Sequence, residues 1–371
     1  MNKDQYNHNF FMQQAIQLAE KGRARTSPNP FVGAIIVKNG TIIGRGYTQP
    51  AGKDHAEVQA IKNAGKKAKD SVMYVTLEPC CYYGRTPPCT EAIIHSKIKK
   101  VIIGKKDPNP KVNGQGIQIL KDAGIEVKLA NNLIAEKIAE QNEIYFTYIT
   151  RKRPFVIIKN ALSLDGKIAT EYGDSKWISN EKSRTLVHKL RNQVDAIITG
   201  VNTVNNDNPQ FTVRLVSKIK DPIRIILDAK MNINPNSYVI KSANNIRTIL
   251  VTGFQQDQTK KDFLQQNNVE VWKVKTKNNK IDLRDLLSKL YENEISSVMV
   301  EAGSLLVTEF FRERLYDKVY FFIASKIFGS RSNRYSLVHS LDIETVEQAI
   351  CFKKTSWRKI DCDMLFIGYP Y

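Results

Sequence analysis

Apolar segments of strand length alternate with segments of helical period along nearly the whole of this chain, and the alternation restarts after the basic stretch Thr150-Arg151-Lys152-Arg153. Such a pattern implies sheets covered by helices. At 371 residues the chain exceeds what one hydrophobic core usually serves. Two α/β domains are therefore expected, over residues 1–150 and 151–371.

In the first half, residues 5–22 read as a helix stopped by Gly22, and FVGAIIV and TIIGRGY as two strands around the turn Lys38-Asn39-Gly40. His55–Ala64 reads as a helix ended by Gly65, Ser71–Leu77 as a strand, Cys89–Ser96 as a helix and Val101–Gly104 as a strand. A short strand, IEVKLA, and a polar helix around 133–143 follow. The second half reads as strands at 155–161, 194–199, 223–228, 248–252, 296–301 and 317–323, with helices near 180–192, 282–291 and 304–313. No internal repeat is visible.

Composition narrows the class. Apolar residues make up 42% and charged residues 25%, as in ordinary globular proteins. The first 22 residues mix charges into an amphipathic pattern, unlike a signal peptide, and no apolar run reaches transmembrane length. A cytoplasmic protein without a membrane partner is expected. The net charge of +19 raises the question of a nucleic-acid partner. Lysines are spread along the chain with Asn and Ile, however, so a general bias explains them and no nucleic acid is expected. Five cysteines are too few for a disulfide scaffold, and Cys351 and Cys362 are expected to be buried packing residues.

Two motifs carry chemistry. DHAEVQA puts His55 and Glu57 at the mouth of a helix, and LEPCCYYGRTPPCTEA supplies Cys80 and Cys89, nine residues apart across a Gly/Pro loop. One nitrogen and two sulfurs suit zinc, and three protein ligands leave a fourth position for water, the mark of a catalytic site. Cys81 competes with Cys80, but Pro79 favours Cys80, leaving Cys81 as a packing residue. Pro88 stands where the second helix begins, so Cys89 falls in its first turn, where backbone N–H groups favour the thiolate. Glu57, two residues beyond the histidine, can carry protons without binding metal, the arrangement of zinc deaminases with H-x-E signatures. Taken singly these residues are ordinary; in this order they read as one site.

With these residues in view, the sequence resembles the bifunctional riboflavin-biosynthesis family, a pyrimidine deaminase fused to a reductase. PNPFVGAIIV, AGKDHAEVQA, YVTLEPC, GRTPPC and KDPNPKVNGQG look like its deaminase half. NALSLDGKIAT, GDSKWIS, LRNQVDAIITGVNTVNNDNPQFTVR and VEAGSLLVTEFF resemble its reductase half. The resemblance implies a cytidine-deaminase-like α/β/α sandwich followed by a dihydrofolate-reductase-like α/β domain, with Zn2+ and NADPH as cofactors. It implies loss of ammonia from 2,5-diamino-6-ribosylamino-4(3H)-pyrimidinone 5′-phosphate, then reduction of the ribosyl to a ribityl side chain. By motif, Ala161, Trp177, Thr203 and Asp207 would line the NADPH site, and Ser175, Arg191, Arg214 and Glu301 would hold the substrate. Asn29 and Arg85 are expected as deaminase-pocket contacts, and a homo-oligomer is expected.

Some of this has a rationale in the residues themselves. Arg191 at a helix end and Arg214 after a loop can pair as a phosphate clamp. No G-x-G-x-x-G occurs, which disfavours a Rossmann site; VMVEAG followed by SLLVTEFF instead offers Gly303 and a helix N-terminus to a phosphate. Lys159 and Asp165, on or just after one strand, are candidates to polarise ribose hydroxyls during hydride transfer. The sequence also departs from the family: Thr48 and Tyr82 stand where histidines are common, and Ala229 and the stretch SKIFGSRSNRYS differ from the expected small-polar and glycine-rich forms. Two other readings stay open at this point: a tRNA-type deaminase with an accessory domain, and a reductase carrying a non-catalytic zinc-binding domain.

Overall fold

The computed structural model describes residues 3–253, 257–329 and 335–371. The chain divides into two compact units, Met1–Lys152 and Arg153–Tyr371.

The first unit opens with helix α1 (Lys3–Ala19) and the hairpin of β1 (Gly33–Lys38) and β2 (Thr41–Tyr47). Its turn residues Asn39 and Gly40 have φ of 51° and 75°, the left-handed pair whose twist matches antiparallel strands. Then come α2 (Ala56–Ala64), β3 (Val72–Leu77), α3 (Cys89–His95), β4 (Lys100–Lys105) and α4 (Gln115–Asp122). The unit closes with β5 (Glu126–Leu129), α5 (Asn132–Gln141) and α6 (Glu143–Arg151).

The sheet order is β2-β1-β3-β4-β5, with β1 antiparallel to both neighbours and β3, β4 and β5 parallel. Successive strand residues point to opposite faces. Ile35, Val37, Tyr74 and Ile102 pack with residues of α1 and α5, whereas Ala34, Ile36, Met73, Val75, Val101 and Ile103 pack with α2, α3, α4 and α6. An α/β/α sandwich results, with central strands apolar on both faces.

Helix α2 lies unusually close to β2. A Cβ at Gly46 would stand 2.1 Å from the Ala56 carbonyl oxygen, and one at Gly44 would stand 2.4 Å from that of Ala60. Only glycine permits this approach, and Ala56 and Ala60 are fully buried beneath it.

The second unit contains β6 (Phe155–Leu162), α7 (Glu181–Arg191), β7 (Ala196–Gly200), α8 (Val201–Asp207), β8 (Ile223–Leu227), α9 (Tyr238–Lys241) and β9 (Thr248–Thr252). It continues with α10 (Gln258–Gln266), β10 (Val269–Lys273), the small ladder of β11 (Thr276–Lys277) and β12 (Lys280–Ile281), and α11 (Leu283–Glu292). β13 (Ser297–Val300), α12 (Ser304–Arg312), β14 (Lys318–Ile323), β15 (Phe352–Ile360) and β16 (Asp363–Pro370) complete it.

Its nine-stranded sheet runs β10-β9-β8-β7-β13-β6-β14-β16-β15. The strands from β10 to β14 are parallel, and β16 and β15 add an antiparallel edge. β13 enters between β6 and β7, so the carboxyl ends of these three strands lie side by side, the usual place for a ligand in an open α/β sheet. No helix among the described residues is long and apolar enough to cross a membrane.

The α/β expectation for both halves holds, with specific differences. The single polar helix expected near 133–143 is two helices broken at Asn142, and the second runs to Arg151 before Lys152 turns left-handed at φ 51°. Helices α4, α8, α9 and α10 and strands β10, β15 and β16 go beyond the sequence reading. β15 shows only three partly buried positions among nine, so it carries no period-two signal. Cys351 and Cys362, expected to be buried, are exposed: they lie just before β15 and in the β15–β16 turn, at the sheet edge, where no core reaches them. Part of SKIFGSRSNRYS, residues 330–334, lies outside the described residues.

The tight α2–β2 contact gives a test. Gly46→Ala forces a methyl into backbone atoms, with an expected loss of about 1–3 kcal/mol or more, visible as a lower midpoint in thermal unfolding. An unchanged midpoint would show that α2 can move away freely.

Candidate active sites at the strand ends

The chain ends of β3 and the starts of α2 and α3 build the first site. His55 is the residue preceding the first turn of α2, in extended backbone conformation, and its side chain makes no capping bond. Its Nδ1 lies 3.5 Å from Cys80 Sγ and 3.3 Å from Cys89 Sγ. The backbone N–H of Cys89, at the first residue of α3, donates to Cys80 Sγ at 3.4 Å, and that of Thr90 donates to the Cys80 carbonyl at 3.2 Å. The three possible ligand atoms lie within 4.8 Å of one another. One imidazole nitrogen and two thiols at this separation fit a zinc ion with an open fourth position. Cys81 points elsewhere, its Sγ donating to the Lys111 carbonyl at 3.4 Å.

Charge at this cluster is strongly perturbed. A hydrogen bond from the Cys89 thiol, with further help from His55, pulls Cys80 down to about 5. The same thiol–thiol contact, together with burial, pushes Cys89 well up. Without a metal this contact favours negative charge on Cys80, whereas the helix start alone is expected to favour it on Cys89. Contact with Cys80 raises His55 to about 8. Glu57, in the first turn of α2 and only 4% exposed, is pushed up to about 7, chiefly by burial. A cation would bind most favourably to a site carrying this much latent negative charge.

Three buried residues that the sequence reading missed hold the surrounding loop. The Glu78 carboxylate accepts backbone N–H groups from Gly114 (2.9 Å), Ile117 (3.1 Å) and Asp107 (3.3 Å), fastening the segment before α4 to the end of β3. Tyr145 on α6 donates to both Asp107 oxygens at 3.0 and 3.1 Å, and burial raises Asp107 to about 6. These ties join residues 29 to 39 positions apart, so no local motif announces them.

The expected pocket positions are more varied. The hydroxyl of Thr48 is buried and accepts from Val32 N–H at 3.0 Å, tying the end of β2 to the start of β1. Tyr82 is partly exposed, with Lys111 Nζ 5.5 Å above its ring. Asn29 sits in a turn closed by its N–H to the Thr26 carbonyl, and Arg85 is exposed in the Cys80–Cys89 loop. Thr86 in that loop places Oγ1 3.3 Å from His55 Nε2.

The second site lies at the carboxyl ends of β6, β7 and β13. Glu301, just after β13, receives Arg191 bidentately at 2.7 and 2.9 Å and Lys159 of β6 at 3.4 Å. Burial pushes Glu301 up, but the charges of Arg191 and Lys159 outweigh it and hold the carboxyl at about 2. Arg191 also donates to the Thr212 carbonyl at 3.1 Å. Arg214 is exposed, donates to Thr212 Oγ1 at 2.7 Å and to Gln210, and its backbone N–H donates to His188 Nδ1 at 3.0 Å. Burial and the nearby Arg191 and Arg214 charges push His188 down to about 4. This corner therefore resists further positive charge and welcomes an anion.

The residues assigned to a dinucleotide surround open space. Gly303 precedes α12, and a Cβ there would meet only Thr203 Oγ1, at 4.0 Å; one at Gly200 would meet nothing within 4 Å. Asn160 Oδ1 and Thr199 Oγ1 are buried with no partner among the described residues, while Asn160 Nδ2 donates to the Ala302 carbonyl at 3.1 Å. Orphaned acceptors beside an uncrowded helix start fit a bound cofactor. Trp177 is 62% exposed with the Arg184 guanidinium 4.7 Å from its ring centre, and Lys176 donates to the Asp207 carbonyl at 2.9 Å. Ala161 ends β6 half-buried, and Ser175 sits half-buried in the loop before α7. Ala229, just past β8, accepts at its carbonyl from Thr252 Oγ1 at 3.3 Å. Asp165 is engaged differently from expectation: its two oxygens accept the Phe328 and Gly329 N–H groups at 3.1 and 2.9 Å, shaping a loop.

The Glu301 charge balance is testable. Its contribution to stability is present above the ordinary carboxyl value of 4.5 and is lost as pH falls toward about 2. Glu301→Gln leaves Lys159 and Arg191 buried without a counter-charge, costing about 3–5 kcal/mol near neutral pH. In urea unfolding the gap between wild type and variant should narrow as pH drops below 4.5 toward 2; a constant gap would refute the assignment.

Comparison with known proteins gives a consistent result. Residues 5–105 match the cytidine and deoxycytidylate deaminase zinc-binding region, and residues 154–366 match the RibD C-terminal domain. The riboflavin biosynthesis protein RibD of Aquifex aeolicus is 42% identical, with 97% of this chain and 98% of that protein covered. RibD of Escherichia coli is 35% identical, covering 86% and 88% respectively. A solved structure of Acinetobacter baumannii RibD superposes with a TM-score of 0.88 at 34% identity, covering 99% of both chains. A Thermotoga maritima diaminohydroxyphosphoribosylaminopyrimidine deaminase/5-amino-6-(5-phosphoribosylamino)uracil reductase superposes with a TM-score of 0.85 at 38% identity, covering 99% of this chain and all of the other. With two family matches in series and relatives aligned from end to end, this chain belongs to the RibD family of riboflavin-biosynthesis proteins, a deaminase half followed by a reductase half.

Proposed function

We propose that the first unit removes ammonia from 2,5-diamino-6-ribosylamino-4(3H)-pyrimidinone 5′-phosphate and that the second reduces the ribosyl side chain to ribityl. The observation that carries the first assignment is the convergence of His55 Nδ1, Cys80 Sγ and Cys89 Sγ beside the buried carboxyl of Glu57. These three residues would hold zinc, which when bound supplies the Lewis acidity that makes water nucleophilic near neutral pH.

Glu57 then handles protons. Its burial places it among carboxyls able to hold and release a proton near neutrality. It takes the two protons of the attacking water in turn, delivering the first to the ring nitrogen and the second to the departing amine, so water and the amino-substituted carbon become a ring carbonyl and ammonia. Asn29 and Arg85 are the proposed substrate contacts.

In the second unit NADPH supplies hydride when bound. Ala161, Trp177, Thr203, Asp207 and Gly303 would line its site, and the orphaned acceptors of Asn160 and Thr199 support a ligand there. Ser175, Arg191, Arg214 and Glu301 would hold the sugar phosphate. The exposed guanidinium of Arg214 is the one able to meet a phosphate directly, while Arg191 reinforces it electrostatically from its pair with Glu301. Lys159, fixed on Glu301, presents a buried ammonium to the ribose oxygens. Asp165 acts instead by holding the Phe328–Gly329 loop. The substrate is a small phosphorylated pyrimidine, with no nucleic acid required.

The test is mass spectrometry of products formed from the diaminopyrimidine phosphate. Without NADPH only the deaminated compound should appear; with NADPH its ribityl derivative should follow. Glu57→Gln should cut ammonia release by about 10²–10⁴ and leave NADPH oxidation intact when the deaminated compound is supplied. Undiminished ammonia release by that variant would contradict the deaminase assignment.

A further inference from the structure

The side chain of His55 makes no capping bond to α2, so its own helix start does not fix the ring by a cap. Its orientation comes from the Cys80–Cys89 loop, which touches both nitrogen-bearing edges. On the Nδ1 edge stand Cys80 Sγ and Cys89 Sγ, at 3.5 and 3.3 Å; on the Nε2 edge stands Thr86 Oγ1, at 3.3 Å. A neutral imidazole carries one proton, and the nitrogen facing a metal must lack it. With Nδ1 facing the sulfurs, the proton belongs on Nε2, where the Thr86 hydroxyl oxygen can accept it.

Thr86 is well placed to act as a fixed acceptor. Its carbonyl accepts the Gly84 N–H at 3.2 Å, closing the loop on one side. On the other side Pro87 and Pro88 lead straight into Cys89, the first residue of α3. Two successive prolines fix φ, and β-branching restricts χ1 of the threonine. Backbone stiffness therefore sets both the hydroxyl position and the position of a sulfur ligand three residues later. Thr86 also lines an open depression with Gln49, Pro50, Gly52, Lys53 and Asp54.

We propose that Thr86 is a positioning residue of the metal centre: its hydroxyl holds His55 in the tautomer that presents Nδ1, coupling ring orientation to the loop that also delivers Cys80 and Cys89. The inference rests on the zinc-deaminase reading above. Such outer partners of a ligating histidine typically contribute about 10–100-fold in metal affinity.

The experiment is zinc titration of the full chain against a chromophoric chelator, for wild type, Thr86→Val, Thr86→Ala and Thr86→Ser, with thermal unfolding of the zinc-free chains to confirm folding. Thr86→Val and Thr86→Ala should weaken zinc binding about 10–100-fold, and Thr86→Ser, which keeps the hydroxyl, should restore most of it. In ¹⁵N spectra of the zinc-free chains recorded above the His55 value of about 8, where the ring is neutral, the wild type should show Nε2 protonated, and the valine variant should lose that preference. Zinc binding by Thr86→Val and Thr86→Ala as tight as wild type, or by Thr86→Ser as weak as theirs, overturns the inference alone. A wild-type chain that takes up no zinc contradicts the zinc-deaminase reading as well.

Discussion

The close seating of α2 on β2 is the constraint on which the first site depends. With glycines at positions 44 and 46 the helix backbone reaches the strand directly, and this brings the start of α2 beside the end of β3 and the start of α3. His55 and Glu57 come from the first of these junctions, Cys80 and Cys89 from the other two. Each donor sits at the end of a regular element, where the backbone is fixed but the side chain is free of the ladder. A site built this way tolerates little displacement, because moving α2 outward separates the imidazole from both sulfurs at once.

The second unit reaches a similar end by charge rather than by close backbone packing. Glu301 is buried with two cations, so the net charge of that cluster is positive, and Arg214 extends the same field toward solvent while His188, pushed down to about 4, stays neutral beside it. Asn160 Oδ1 on β6 and Thr199 Oγ1 on β7, buried without a partner among the described residues, lie on either side of β13. Strand ends that combine buried cations with unsatisfied polar atoms suit ligands of different character, a sugar phosphate and a dinucleotide.

The deaminase centre was legible in the sequence because its chemistry is local. His55 and Glu57 share one helix start, Cys80 and Cys89 one loop, and the glycines and prolines between them mark where helices begin. The family resemblance then supplied the second half, where residues such as Arg191 and Glu301, 110 positions apart, have no shared motif. What escaped were ties across the fold: Glu78 to Gly114, Tyr145 to Asp107, Thr48 to Val32, and Asp165 to the loop at 328–329. Each is a polar group satisfied by a distant backbone or side chain that the fold, not sequence spacing, brings to it. Short polar helices such as α8 and the exposed edge strand β15 escaped for another reason, since neither has a buried stripe to give a period.

The geometry of the first unit supports a zinc centre with one nitrogen and two sulfur ligands from the protein and a position open to solvent. X-ray absorption at the zinc edge tests it most directly. Two sulfur scatterers at about 2.3 Å are expected, with one nitrogen and one further light atom at about 2.0–2.1 Å. A shell of four sulfurs, or one with no sulfur, would contradict it.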